Sequence, residues 1–434
     1  MADELAVSGA AGKRRCFGTD GVRGIVGEDL TPDLVERLGK ASTLWSGRGR
    51  VFVGRDTRGS GPLLEAAFAQ GVVAAGGIAV LAGVLPTAAV ALLAQDLGAV
   101  ITASHNPPDY NGVKFFDREG QKLTDKQEEE IEALLDAHGV GGGSVEELEG
   151  AIDSYLEHVL DRFGSELAGL RIAVDCANGA YSGIAPLAFE RLGAEVTAIA
   201  NDPDGTNINL GCGATELAML QETVRAGGHD LGVAFDGDGD RMLAVDERGE
   251  VVDGDQILAV LALAGGVDQV AVTVMANLGL HRLMAEHGIR VHVTDVGDRY
   301  VLEALRREGG LLGGEESGHI VWLGDHVTGD GLAAALLLCG ALGGRSLSAA
   351  AAVMPHFPQA RENVRVSRKQ VSQRVLDEAA RITAQLGGRG RVLVRPSGTE
   401  PVVRVLAEAE TAEEAERLCG TIASLVREDS GQTA

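Results

Sequence analysis

Three carboxylates fall within five residues at Asp236-Gly-Asp238-Gly-Asp240, and Arg241 follows them. Their mutual repulsion is expensive unless a cation sits between them, and the intervening glycines let the backbone curl around an ion. Hard oxygen donors of this kind select Mg²⁺ or Ca²⁺. A calcium-binding helix–loop–helix loop would need Gly at its sixth position, where Arg241 stands, although Glu247 does fall at its twelfth. The flanks Leu231–Phe235 and Met242–Val245 read as strands, not helices. The spacing therefore favours a Mg²⁺ site with positions left for a phosphate oxygen, against a calcium loop or a solvated turn.

Four other stretches could supply the remaining chemistry. Thr102-Ala-Ser104-His105-Asn106-Pro107 follows the aliphatic run Ala99-Val100-Ile101, so Ser104 is expected at the carboxyl end of a strand, where ligands of α/β sheets bind. The alternative is a Ser/Asn turn ahead of Pro107-Pro108. No Gly-x-Ser-x-Gly elbow surrounds Ser104, and His105, its direct neighbour, is expected to point away from it, so a serine hydrolase is disfavoured. Lys114 returns a cation towards the same place, either as a salt-bridged lysine or as a proton-transfer group with a lowered pKa. In Gly314-Glu315-Glu316-Ser317-Gly318-His319 the alternate residues Glu315, Ser317 and His319 suit the vicinal hydroxyls of a sugar, unless the segment is only a glycine-rich turn. Arg395-Pro-Ser397-Gly398-Thr399-Glu400-Pro401, with Arg404 beyond, offers paired guanidinium donors, two hydroxyls and accessible amides to a phosphate. Near the start, Phe17-Gly-Thr-Asp20-Gly-Val-Arg23-Gly24 is a further Gly-framed loop with one arginine.

The elements that must hold these loops repeat. Val51–Val53, a helix near Leu63–Val73 and Gly77–Val80 form one strand–helix–strand unit. Ile172–Val174 with Ile184–Leu192 and Gly193–Val196 form a second, and Val270–Val272 with Leu280–Glu286 and Gly288–Val291 a third. Such units make parallel pairs with a right-handed crossover, so three similar α/β domains are expected. Arg391–Val394 and Val402–Ala407 read instead as strands around a polar loop, followed by a helix opened by a Thr411–Glu414 capping box, which indicates a smaller α+β domain. Gly139–Ser144 reads as a linker, and Pro355–Pro358 as a second break. The expected domains are 1–149 with the serine loop, 150–255 with the metal loop, 256–355 with the sugar loop and 356–434 with the phosphate loop.

The 434 residues carry 38 basic and 63 acidic side chains, a net charge of −25, which argues against nucleic acid as a partner. Five scattered cysteines, with no Cys-x-x-Cys, suggest neither zinc nor a disulfide framework. The opening residues lack the pattern of a signal peptide, which makes the cytoplasm the expected compartment. The uncharged run from Ala66 to Gln95 exceeds the roughly 20 residues that span a bilayer. However, Gly76-Gly77, Gly83 and Pro86 should cut it into helix, strand, turn and helix, so no membrane is expected as a partner. No Walker loop, full Gly-x-Gly-x-x-Gly or His-Glu-x-x-His is present.

Taken together, these loops resemble those of the α-D-phosphohexomutase superfamily, in that family's order and across nearly the whole chain. The resemblance implies three mixed α/β domains and a smaller C-terminal α+β domain around a central cleft. It implies an isomerase that acts on a small-molecule sugar phosphate. Ser104 would be phosphorylated, with one Mg²⁺ per chain held by its phosphate and by Asp236, Asp238 and Asp240. Lys114 and His319 are the acid/base candidates, and Arg23 and Arg241 would steady phosphate near the metal. Glu315 and Ser317 would hold sugar hydroxyls, while Arg395, Ser397, Gly398, Thr399 and Arg404 would grip the phosphate that is not reacting. Phe17–Gly24 and Val296-Gly-Asp298-Arg299-Tyr300-Val301 are similar to the amino-sugar branch. That branch interconverts glucosamine 6-phosphate and glucosamine 1-phosphate through a 1,6-bisphosphate, with glucosamine or glucose 1,6-bisphosphate as primer, and so supplies UDP-N-acetylglucosamine for cell walls. The mannose/glucose phosphate branch is the alternative, and a Mg-dependent sugar phosphatase a more distant one. Glu316 stands where the amino-sugar branch more often has Gln or Asn, and the segment after Ala137 is shorter than usual. A homodimer through the first domain is also suggested.

Overall fold

The structure, a computed structural model, describes residues 16–18, 20–47, 49–366, 370–397 and 401–430. The first sheet contains β1 (Val22–Ile25), β2 (Arg50–Arg55), β3 (Ile78–Val84), β4 (Leu97–Ile101), β5 (Tyr110–Asp117) and β6 (Ser144–Glu147), in the order β1-β5-β4-β2-β3-β6. β2 is parallel to β3 and β4, and β5 returns antiparallel to β4. Helices α1 (Pro32–Trp45) and α2 (Gly61–Ala74) cover it, with Val35, Leu38, Leu64, Phe68 and Val72 meeting Val51, Val53 and Ile101 in one core. The two helices touch where a side chain would not fit: a Cβ on Gly71 would lie 1.9 Å from the Glu36 carbonyl, and one on Gly39 2.3 Å from that of Phe68.

The uncharged run resolves as expected into the end of α2, β3, a turn at Pro86 and α3 (Thr87–Leu93). Among the described residues no helix is long and apolar enough to cross a membrane. After α4 (Asp125–Glu132) the expected linker differs. Gly139–Gly143 leads into β6, which pairs parallel with β3 as the sheet's outer strand. Glycine is required there for close passage, since a Cβ on Gly143 would lie 2.2 Å from the Gly77 carbonyl.

The second sheet follows α5 (Ala151–Phe163). It holds β7 (Arg171–Asp175), α6 (Ala185–Arg191), β8 (Glu195–Ile199), α7 (Ala218–Gly227), β9 (Leu231–Phe235), β10 (Met242–Asp246) and β11 (Val251–Val252), with strand order β11-β10-β9-β7-β8. β7 runs parallel to β8 and β9, while β9 and β10 form an antiparallel hairpin around the three aspartates. The third region comprises α8 (Gly254–Gly265), β12 (Gln269–Thr273), α9 (Leu278–Glu286), β13 (Arg290–Thr294), α10 (Asp298–Glu308), β14 (Leu312–Gly314), β15 (Ile320–Trp322), α11 (Gly331–Leu342) and α12 (Leu347–Ala351), with strand order β13-β12-β14-β15. The last is antiparallel: β16 (Gln359–Arg365), α13 (Gln373–Leu386), β17 (Arg391–Pro396), β18 (Val402–Glu408) and α14 (Ala412–Asp429), ordered β16-β18-β17. Three α/β domains and a smaller C-terminal α+β domain are thus the fold. The Thr411 hydroxyl accepts from the Glu414 amide as a cap of α14, and the Glu414 carboxylate lies 3.7 Å from Arg417.

The chain divides into two compact units, one running up to Thr273 and including His292–Ala351, the other joining Val274–Val291 to the residues from Ala352 onward. The division cuts through the third expected strand–helix–strand unit and gives α9 to the C-terminal domain. The reason is local. The Asn277 side chain exchanges hydrogen bonds with the Phe357 backbone at 3.0 and 3.1 Å, and the Leu278 amide donates to the fully buried Glu408 carboxylate, itself paired with Arg391.

Candidate active site

β4 is buried along its whole length and delivers Thr102–Pro107 at its carboxyl end. The β9–β10 hairpin turns through Asp236–Arg241, and the two loops meet: the Ser104 hydroxyl donates to Asp236 Oδ2 at 2.6 Å. Donor atoms of Asp236, Asp238 and Asp240 lie within 4.8 Å of one another, and all three residues are buried. Asp238 Oδ1 and Asp240 Oδ1 are buried and accept no hydrogen bond, as expected of oxygens arranged for a cation. The donor set is hard, anionic and all oxygen, so the residues fit a divalent ion such as Mg²⁺. Burial and repulsion from Asp240 and Asp238 push the Asp236 carboxyl well above the usual range.

β5 pairs Lys114 with Val100 and so carries its ammonium back to the loop. Nζ lies 2.7 Å from Asp238, 2.9 Å from Asp240 and 3.2 Å from Asp20. Burial alone would lower the lysine's pKa, but these carboxylates raise it well above the ordinary value, so of the two alternatives Lys114 is the salt-bridged lysine and not a group with a lowered pKa. β1 places Arg23 opposite Gly112, with its guanidinium on Asp20. His105 does not point away. Its Nδ1 is 3.3 Å from the Ser104 hydroxyl, and burial together with nearby Arg241 and Arg23 lowers its pKa to about 4.

The segment after β14 turns sharply, so Glu315, Ser317 and His319 do not share one face as an extended strand would have them. Glu315 is half-buried, Ser317 exposed and His319 buried. The turn is fixed to the metal hairpin by a 2.9 Å hydrogen bond from the Met242 amide to the Gly318 carbonyl. His319 Nε2 is 3.1 Å from Asp298 and Nδ1 is 3.6 Å from Asp240. Burial opposes protonation, yet Asp298 and Asp240 push the His319 imidazolium up to about 10.

Sequence reasoning left several participants without a role. Asp20, Lys122 and Asp298 complete a closed ring of alternating charge: Lys114, Asp20, Lys122, Asp298, His319 and Asp240. Asp20 and Asp298 lie inside motifs already singled out, whereas Lys122 offered no signal. Thr87, the first residue of α3, donates its hydroxyl to Asp238 at 2.7 Å. The Gly297 amide donates to Glu315 at 3.0 Å.

Ser104, Lys114, Arg23, Arg241, Asp236, Asp238, Asp240, Glu315, Ser317 and His319 all belong to the first unit. Arg395, Ser397 and Arg404 belong to the second. There the β17–β18 register sets Arg395 opposite Arg404, whose Nη2 is 3.4 Å from Ser397 Oγ. Gly398 and Thr399 lie outside the described residues.

Comparison with known proteins gives the same outline. Residues 14–139, 153–249 and 253–357 match the phosphoglucomutase/phosphomannomutase alpha/beta/alpha domains I, II and III, and residues 362–425 match that family's C-terminal domain. The chain belongs to this family, and is an isomerase of the phosphohexomutase kind. A phosphoglucosamine mutase of Moorella thermoacetica is 49% identical, over 96% of this chain and 99% of the relative. Among solved structures, a phosphoglucomutase/phosphomannomutase family protein of Burkholderia thailandensis superposes with a TM-score of 0.83 at 27% identity, covering 96% of this chain and 98% of the other. The Aspergillus fumigatus N-acetylphosphoglucosamine mutase, solved with GlcNAc-6P and magnesium, shares the fold at a TM-score of 0.73 and 19% identity, over 96% of each chain.

Proposed function

We propose that this chain interconverts glucosamine 6-phosphate and glucosamine 1-phosphate, with Ser104 lending and recovering the phosphoryl group. The observation that carries the reading is the Ser104 hydroxyl 2.6 Å from Asp236, inside a buried trio of carboxylates with unsatisfied oxygens. Asp236, Asp238, Asp240 and the Ser104 oxygen would hold one Mg²⁺, which supplies charge neutralisation for the phosphoryl oxygens during transfer. Phosphorylated Ser104 gives its phosphoryl group to the free sugar hydroxyl: the bond from Ser104 Oγ to phosphorus breaks as the new one forms, the hydroxyl gives up its proton and Ser104 Oγ takes one up. The bisphosphate turns over and returns its other phosphoryl group to Ser104. His319, held as imidazolium by Asp298 and Asp240, has a proton to give, and cationic Lys114 balances the carboxylates. Arg23 and Arg241 would offer their guanidinium donors to the phosphate. Glu315 and Ser317 are assigned to the sugar, and Arg395, Ser397, Gly398, Thr399 and Arg404 to the distal phosphate. A bisphosphate primer, a cytoplasmic location, a supply of precursor for UDP-N-acetylglucosamine and the four domains bounded near 149, 255 and 355 belong to the same reading.

A homodimer through the first domain is part of it. β6 is an exposed outer strand, and beside it an apolar cavity of about 550 Å³ is lined by Ala66, Ala69, Val73, Leu81 and Val145.

The test is phosphorus NMR of glucosamine 6-phosphate incubated with the protein, Mg²⁺ and a trace of glucose 1,6-bisphosphate. The 1-phosphate signal should grow, Ser104 should carry phosphate by mass spectrometry, and Ser104→Ala should lower turnover by roughly 10³-fold or more. Steady release of inorganic phosphate, or an active Ser104→Ala protein, overturns the reading.

A further inference from the structure

Ser104 occupies the left-handed region at φ 52°, which side chains other than glycine rarely adopt. This conformation aims the hydroxyl at Asp236 and turns the carbonyl the other way. The carbonyl is captured there from two sides, by Arg58 Nη2 at 2.9 Å and by Asn209 Nδ2 at 2.9 Å. Arg58 then gathers the rest of the loop: Nη2 donates to the Asn106 carbonyl at 2.8 Å, and Nη1 to those of Tyr110, at 3.0 Å, and Pro107. Its Nε donates to Asp56 Oδ2 at 2.9 Å. The same Asp56 oxygen accepts from the Thr102 hydroxyl at 2.6 Å, which in turn accepts from the Ser104 amide at 2.9 Å. Both the amide and the carbonyl of Ser104 are therefore tied, through one or two bonds, to a single ion pair.

That pair is costly. Arg58 and Asp56 are both wholly inaccessible to solvent, and a buried ion pair is a weak source of stability. Neither side chain hydrogen-bonds or ion-pairs with Asp236, Asp238 or Asp240. What the guanidinium supplies is geometry: a planar fork of fixed donors that holds four carbonyls in one arrangement, which an ammonium on a flexible stem does not reproduce. Phosphoryl transfer depends on in-line placement of the attacking and leaving oxygens, so displacement of the serine by a fraction of an ångström is expensive.

We propose that Arg58 is a positioning residue for the phosphoryl-carrying serine, with Asn209 as its second arm. The proposal rests on the reading of Ser104 given above. Asn209 is half-buried and itself left-handed at φ 57°, so Asn209→Gly keeps the backbone and removes only the donor. Arg58→Lys keeps the charge and removes the fork.

The test uses the full-length protein with Mg²⁺ and bisphosphate. kcat should fall about tenfold in Asn209→Gly and about 100-fold in Arg58→Lys, with KM for the sugar phosphate within about twofold of the parent. Amide exchange of residues 104–106, 109 and 110 should speed up in both variants while that of the β9 amides stays unchanged. A parental kcat and unchanged exchange in Asn209→Gly overturn the proposal, as does a rise in KM at constant kcat. If Arg58→Lys does not fold, Asn209→Gly decides. Exchange is read without turnover, so a fully active Ser104→Ala protein would end the reading of Ser104, while the exchange data still uphold or refute the clamp.

Discussion

The serine and carboxylate loops of the first unit and the arginine hairpin of the second both concentrate charge, yet they are built by different rules. Around Ser104 and Asp236 the backbone itself is fixed. Carbonyls are tied to buried side chains, and a Cβ on Gly237 would lie 2.7 Å from the Ser104 carbonyl. On the β17–β18 hairpin the backbone is an ordinary antiparallel ladder. Alternate residues Val403, Val405 and Ala407 pack beneath it, while Arg404 and Arg395 line an open cavity of about 310 Å³ with Arg361 and Asn363. A bond-making site needs fixed atoms, whereas a grip on an anion works through charge, which acts over distance and tolerates several poses.

The sharpest way to break this contrast is Gly237→Ala. If the first region is as constrained as its contacts indicate, the methyl group must displace the serine loop, the Asn209 amide or Ile208. Overpacking of that kind costs about 1–3 kcal/mol of stability, and the displaced serine oxygen should lower kcat about 10–100-fold with little change in KM. A nearly normal kcat would show that the loop yields. Arg404→Ala probes the other region. Loss of a charge-assisted contact of about 1.5–2 kcal/mol should raise KM for the sugar phosphate about 10–30-fold, and kcat should change less. A fall in kcat alone would mean that the hairpin, too, positions reacting atoms.

A third prediction concerns stability rather than turnover, and it reads the first unit alone through pH. Asp175, at the end of β7, is held up to about 6 by burial, although the Gly213 and Ala177 amides pull it down. The folded state thus holds this proton more tightly than the unfolded chain. The contribution is present in full below the ordinary value of 3.8 and is lost as pH rises through about 6, a difference of about 3 kcal/mol or less. Trp45 and Trp322 both lie in the first unit, so tryptophan fluorescence follows that unit's unfolding. In urea, Asp175→Asn should gain stability relative to the parent between pH 4 and pH 7. An unchanged gap between the two proteins would contradict the shift.

Much of this was legible in the sequence where local pattern and local structure coincide. The aspartate triplet announced a turn between strands because its glycines and aliphatic flanks leave little else, and Ser104 was placed at a strand end by Ala99–Ile101 alone. Long-range features were not legible. The lysine's pKa rises because Asp20 and the hairpin aspartates, far apart in the chain, converge on it, and nothing near Lys114 in sequence indicates that. Arg58 gave only the hint of a charged Asp-Thr-Arg run directly after an aliphatic strand. The glycine-rich stretch Gly139–Ser144 reads as a linker, though its glycines let an outer strand pass close to its neighbour. The expected alternation through Glu315, Ser317 and His319 failed because Gly318, at φ 89°, bends the chain.

The loan of α9 to the C-terminal domain has a practical consequence for anyone who would dissect this protein. The polypeptide passes from one unit to the other near residues 273, 291 and 351, so the C-terminal part is not a detachable cassette. A fragment cut at the proline-rich break near 355 would leave Asn277 and Leu278 behind, depriving Phe357 of its side-chain partner and the interior carboxylate of Glu408 of one of its donors. Domain exchanges between relatives should therefore transplant 274–291 together with the tail, or retain both.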